Sequence, residues 1–190
     1  MSEALAFVGL PRVLDSESLH RTTVRLAHEI AEQHADGSEL LLAGIRTRGV
    51  PLAQRLLASL CQLGYVKTGL CAVDVAAFRD DRPHPALSDG QAVTQGDGVA
   101  VSVTGRIVVL VDDVVFTGRT IRAALDALMA QGRPDTIEVL ALIDRGHREL
   151  PVRATYVGKN VPTAPSDRVR VRLREIDGVD GAWLVPGGTA

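Results

Sequence analysis

Disulfides, membrane spans and metal-binding motifs are all missing from this 190-residue sequence. Its two cysteines, Cys61 and Cys71, are too few for a disulfide framework, and neither has a C-x-x-C partner. No apolar run approaches the roughly 20 residues that cross a bilayer. The N-terminal stretch lacks the charged and long apolar regions of a signal peptide. The expectation is a cytoplasmic chain with no membrane partner. The formal net charge of -2 gives no overall attraction to nucleic acid or anionic lipid, so any polyanion site has to be a local patch. His20, His28, His34, His84 and His147 show no metal-ligand spacing, which argues against a zinc site. What is present is apolar content, 46%, enough for one domain over residues 1–190 with a substantial core.

Periodicity divides that domain into alternating helices and strands. A helix is expected over 16–33, with Leu19, Thr23, Leu26 and Ile30 as its apolar stripe. "ELLLAGI" reads as a buried strand and "VPLAQRLLASLCQLG" as a helix, with Pro51 near its start and Gly64 at its end. The strand "LCAVDVAAF" follows, and later "RIVVLV". A helix over 120–131 places Ile121, Ala124, Leu125 and Leu128 on one face and stops at Gly132. "TIEVLALI" is a further buried strand. The stretch 79–98, "RDDRPHPALSDGQAVTQGDG", is rich in Pro, Gly and Asp and has no periodicity, which suggests a functional lid. The alternation predicts an α/β fold with a parallel sheet, whose ligands bind beyond the carboxyl ends of the strands.

Asp112 and Asp113 stand at such an end, in "VVLVDDVVFTGRT". The helix that follows leaves the N–H groups of its first turn unpaired and adds roughly half a positive charge from its dipole. Thr117, Gly118, Arg119 and Thr120 would therefore surround a phosphate. Ionised aspartates only accept hydrogen bonds, and vicinal ribose hydroxyls are suitable donors. A ribose 5-phosphate satisfies both halves. Simple helix capping is the alternative, but a cap needs one side chain. The spacing is not that of a Walker loop, which disfavours an ordinary kinase or NTPase.

The same stretch resembles the phosphoribosyl diphosphate (PRPP) signature of type I phosphoribosyltransferases. "GIRTRG", "FRDD" and "DRGHRELPVRATYVGKNVPT" resemble the bifunctional pyrimidine operon attenuation regulators that are also uracil phosphoribosyltransferases, over about residues 13–178. The resemblance implies a central parallel sheet flanked by helices, with a small hood and a flexible flap at about 79–98. It implies conversion of uracil and PRPP to UMP and diphosphate with Mg²⁺, held mainly by substrate and water. It further implies UMP- or UTP-dependent binding of pyrimidine-operon leader RNA, and a homodimer or larger homo-oligomer. A transferase acting on a purine, without RNA regulation, is the alternative.

Carried over by residue, Asp112 and Asp113 would be catalytic and hold the ribose hydroxyls, and Val114, Val115 and Phe116 would bind PRPP or nucleotide together with the phosphate turn Thr117–Thr120. Thr47, Arg48 and Gly49 would form the diphosphate loop, and Arg79 would be the catalytic arginine of the flap. Arg145, Lys159, Asn160 and Val161 would meet the base. For RNA, a 100° step puts Arg21, Arg25 and His28 within about 60° of one another on the first helix. Arg148, Arg153 and Lys159 match basic positions that family members present to RNA. Val24 and Gln33 depart from the polar and basic residues expected on that helix. In "RVRVRLR", alternation sends Arg168, Arg170, Arg172 and Arg174 to one face, as an antiparallel edge strand with a solvated side would. An accessory phosphate contact is the other reading of that stripe.

Overall fold

Every side chain of strand β2, Leu40–Ile45, is buried, as expected of a strand covered on both faces. In the computed structural model, which describes residues 7, 9–35, 39–78, 92–95 and 98–188, β2 lies inside a seven-stranded sheet. The chain runs β1 (Arg12–Leu14), α1 (Ser16–Gln33), β2, α2 (Gly49–Gln62), β3 (Gly69–Val73), β4 (Val93–Gln95) and β5 (Val99–Ala100). It continues through β6 (Ile107–Val115), α3 (Arg119–Met129), β7 (Thr136–Asp144), β8 (Tyr156–Asn160), β9 (Arg168–Arg172), α4 (Arg174–Asp177) and β10 (Gly181–Val185). The large sheet has the order β5-β4-β3-β2-β6-β7-β8. Strands β3, β2, β6, β7 and β8 are parallel, and β4 and β5 add an antiparallel edge. A three-stranded antiparallel sheet, β1-β10-β9, forms the hood.

The period-2 alternation of β2 feeds two cores. Leu40 and Leu42 join Leu19, Leu26 and Ile30 of α1 and Leu52, Leu56 and Leu60 of α2. Leu41, Ala43 and Ile45 join Ile121, Ala124 and Leu128 of α3. Burying a Leu or Ile side chain contributes about 1.5–3 kcal/mol, so each stripe is a major part of the folding energy. Helix α1 has the expected bounds because Asp15 caps it, accepting the Ser18 N–H at 2.7 Å. Thr23 fits the stripe by satisfying its hydroxyl on the Leu19 carbonyl.

Several expectations shift. "LCAVDVAAF" is a strand only to Val73, because the Asp74 carboxylate accepts the Ala76 N–H at 2.9 Å and the chain turns into a short 3₁₀ helix, Ala76–Phe78. Strand β6 runs past the expected end, through both aspartates to Val115, since β7 pairs with it as far as Val115↔Asp144. The C-terminal part of the expected lid contains β4, and β5 follows; residues 79–91 and 96–97, with Arg79, lie outside the described residues. Among the described residues strand β9 pairs only with β10 and is an edge, with Val169, Val171 and Leu173 buried and Arg168 and Arg170 exposed. Arg172 leaves that solvated row to pair with Asp177. Arg174 begins α4.

Candidate active site

The two aspartates lie near the carboxyl end of β6, on opposite sides of its pleat. Asp112 is buried and its Oδ1 accepts the Asp113 N–H at 3.0 Å. Burial pushes the Asp113 carboxyl above its ordinary range, while the Asp112 hydrogen bond and the Arg48 charge oppose that rise. Past Val115 the chain is gripped by its neighbours. The Arg145 N–H donates to the Val115 carbonyl at 3.0 Å, and the Glu149 and Leu150 N–H groups both donate to the Thr117 carbonyl. Gly118, at φ 93°, makes the left-handed turn that starts α3; an added Cβ would also sit 3.4 Å from the Val152 Cβ. The first bond within the helix is Arg122 N–H to the Gly118 carbonyl, and before it the Arg119 N–H reaches the Thr117 hydroxyl at 3.4 Å. A cavity of about 210 Å³ lies there, lined by Asp112, Val114–Ile121. The Arg119 side chain turns aside to Glu149, 2.8 Å from its Oε2, and leaves the backbone to form the turn.

The second predicted loop is pressed against the first. A Cβ on Gly44 would lie 2.6 Å from Val50 Cα, and one on Gly49 would lie 2.3 Å from the Val111 carbonyl oxygen. Only glycine at 44 and 49 lets Arg46–Thr47–Arg48 fold back on β2 and β6, one residue before Asp112. The Arg46 N–H is held by the Val73 carbonyl at 3.0 Å, and the Arg46–Thr47 peptide is cis. Arg46 and Thr47 are exposed; Arg48 is half-buried. Arg48 donates through Nε and Nη2 to the two oxygens of Asp177, at 3.2 and 2.8 Å. Asp177 escaped the sequence reading because it is 129 residues away and lies in no motif.

The segment expected at the base closes over Phe116. Arg145 is buried, and its guanidinium carbon lies 4.1 Å from the Phe116 ring centroid. Its Nη2 donates to the Asp167 carbonyl and its Nε to Thr163 Oγ1. Burial lowers its pKa. His147, at φ 57°, meets the same ring edge-on and binds the Thr163 carbonyl through Nε2. Val161 donates its N–H to the Asp144 carbonyl at 2.8 Å, and Asn160 is in register with Asp144. Lys159 points elsewhere, its Nζ 2.9 Å from the Val13 carbonyl of the hood.

The residues expected to meet RNA divide into two groups. Arg21 pairs with Glu17, and Arg25 with Glu29. Arg25 also donates to the carbonyls of Val157 and Gly158, at 3.2 and 2.6 Å, so α1 and β8 form one surface that carries Lys159. Gly158 permits this approach, since a Cβ there would lie 2.8 Å from Thr22 Cγ2. His28 binds the Val24 carbonyl through Nδ1. Arg153 is exposed. Arg148, by contrast, is tied into the active-site loops: it donates to the Phe116 and Val152 carbonyls and pairs with Asp144 at 2.6 Å.

A model described as the phosphoribosyl transferase domain matches residues 12–171. The Bifunctional protein PyrR of Halalkalibacterium halodurans is 48% identical over 168 residues, 88% of this chain and 93% of the relative. That of Pelotomaculum thermopropionicum is 50% identical over 167 residues, 88% of this chain and 91% of the relative. A crystal structure of the hypoxanthine phosphoribosyltransferase of Trypanosoma cruzi matches with a TM-score of 0.70 at 17% identity, covering 93% of this chain and 97% of that one. At such identity the likeness is one of fold. With matched residues spanning both site loops and most of the chain, the protein belongs to the phosphoribosyl transferase domain family, alongside the relatives named bifunctional PyrR.

Proposed function

We propose that the protein transfers the 5-phosphoribosyl group of PRPP to uracil and binds pyrimidine-operon leader RNA when UMP or UTP is bound, promoting transcription attenuation. The observation that carries the transferase reading is one piece of geometry. The Asp112–Asp113 pair and the Thr117–Thr120 turn suit a ribose 5-phosphate, and Gly49 presses a second loop against the strand that bears them. In the reaction the bond from uracil N1 to C1′ forms as the bond from C1′ to the diphosphate oxygen breaks; diphosphate leaves with that bond's electron pair, and the N1 proton of uracil passes to solvent water. Positive charge builds on the ribose ring and negative charge on the leaving group. Asp112 and Asp113 accept the 2′- and 3′-hydroxyls and hold the ring in place. The N–H groups of the turn fix the 5-phosphate, and the Thr47–Gly49 loop with Arg48 receives diphosphate. Carboxylate and substrate oxygens are a hard donor set that fits Mg²⁺, and among the described residues no group of three His, Cys, Asp or Glu forms a metal cage. Bound with PRPP, Mg²⁺ neutralises leaving-group charge. Arg79 adds its positive charge to the diphosphate side as the leaving group departs.

The RNA half of the proposal is supported by the joined surface of α1 and β8, with Arg21, Arg25, His28, Lys159 and the exposed Arg153. Arg148 contributes by holding the loop that carries Phe116, which links that segment to nucleotide binding. The protein acts in the cytoplasm as a homodimer or larger homo-oligomer. One preparation assayed with PRPP against uracil, hypoxanthine and orotate, with and without chelator, and then with leader RNA with and without UMP, tests both halves. Uracil preference, Mg²⁺ dependence and UMP-stimulated RNA binding are expected. Preferred turnover of hypoxanthine with no RNA binding would replace this reading with a purine transferase.

A further inference from the structure

The hood and the diphosphate loop meet at one buried carboxylate. Asp177 has a side chain only 4% exposed, and it takes both Arg48 of the loop and Arg172 of β9 as ion-pair partners. Its Oδ2 also accepts the Leu173 N–H at 2.9 Å, which anchors it to the hood backbone. An arginine gripped through Nε and Nη2 has its plane fixed, so the edge bearing Nη1 is aimed rather than left to search among rotamers. That guanidinium also lies close enough to Asp113 to favour its ionised form.

We propose that Asp177 is a positioning residue for transferase chemistry: from the hood, it holds Arg48 of the diphosphate loop in the orientation that meets the leaving group. This rests on the reading of Arg48 as a diphosphate contact. Two other roles would use the same contacts differently. If Asp177 only stabilised the hood, its loss would lower the melting temperature and leave turnover alone. If it sequestered Arg48, its loss would speed turnover and tighten PRPP.

The test is a double-mutant cycle with Asp177→Asn, Arg48→Ala and the double variant, each checked for its Tm and assayed for kcat and for KM of PRPP with uracil saturating. Asp177→Asn keeps size and an oxygen for the Leu173 N–H. It should lower kcat by about 10- to 100-fold, the effect of displacing a positioned group by about 1 Å, with a smaller change in KM. In the Arg48→Ala background the same substitution should change kcat less than about 2-fold, since a residue acting through another has nothing left to act on. Arg172→Ala removes the other partner of Asp177 and should lower Tm while kcat stays near wild type. Should Asp177→Asn not fold, Arg48→Lys gives the same reading, because lysine keeps the charge but cannot be gripped on two atoms; it should lose kcat similarly. Full turnover in Asp177→Asn or Arg48→Lys, or a loss in the double variant equal to the sum of the singles, overturns the proposal. An Arg48→Ala protein with normal turnover instead overturns the diphosphate role of Arg48.

Discussion

Gly49→Ala should damage catalysis more than stability, and the structure gives the size of the effect. The added Cβ would lie 2.3 Å from the Val111 carbonyl oxygen, and that oxygen belongs to the central strand one residue before Asp112. A carbon–oxygen contact at the usual separation needs about 1 Å more. The strand cannot yield: Val111 is buried and its strand is paired on both flanks by β2 and β7. The loop therefore has to move, and overpacking of this kind costs about 1–3 kcal/mol. In a chain of this length that lowers Tm by roughly 2–12 °C. Displacing the Thr47–Gly49 loop by about 1 Å should reduce kcat about 100-fold. Gly105→Ala is the control. Its φ is 70° and an added Cβ would meet nothing within 4 Å, so it strains the backbone without touching the site. It should cost about 1–2 kcal/mol and leave kcat unchanged. Differential scanning fluorimetry and steady-state turnover with PRPP and uracil on both variants make the comparison. A Gly49→Ala protein with wild-type kcat would refute the argument that this glycine sets the loop against β6.

Asp113→Asn should abolish most transferase activity and leave RNA binding in saturating UMP largely intact; a loss of RNA affinity would show that the two sites are one. Because burial raises the Asp113 carboxyl and its ionised form accepts the ribose hydroxyls, wild-type kcat/KM should fall with decreasing pH from above the ordinary carboxylate range. A profile flat down to ordinary carboxylate pH would contradict that role. Arg25→Ala with Arg153→Ala should weaken RNA binding and flatten its salt dependence, by roughly 0.7 units of log-log slope per lost phosphate contact. Arg148→Ala should also reduce turnover, since it frees the Phe116 carbonyl and Asp144; unchanged turnover would separate Arg148 from the active site. Exposed Cys61 should react with a thiol reagent in the folded protein, whereas Cys71, buried and with its thiol pushed up to about 12, should react only on unfolding. Two fast-reacting thiols per native chain would exclude that burial.

What could be read from the sequence was carried by residues close together along it. The stripe Leu19–Ile30 gives α1 its buried face through interactions that span a few turns. The carboxylates, the glycine turn and the helix start fall within thirteen consecutive residues, so the ribose-phosphate site could be argued before any fold was known. Gly44 and Gly49 flanked the second loop in plain view, yet their reason, a carbonyl on β6, needed the folded chain. The same holds for β4 and β5, strands of three and two residues with no room for a period, formed because β3 offered an edge. Asp74 ended a strand that its apolar neighbours would have continued. Tertiary structure alone moved Arg172 from a solvated row into an ion pair, bound Arg148 to the Phe116 loop, and brought Asp177 to Arg48 across 129 residues. Periodicity and turn chemistry report forces between near neighbours. A charged side chain's partner is chosen by whichever opposite charge the packed core carries within reach, and that choice exists only after the chain has closed on itself.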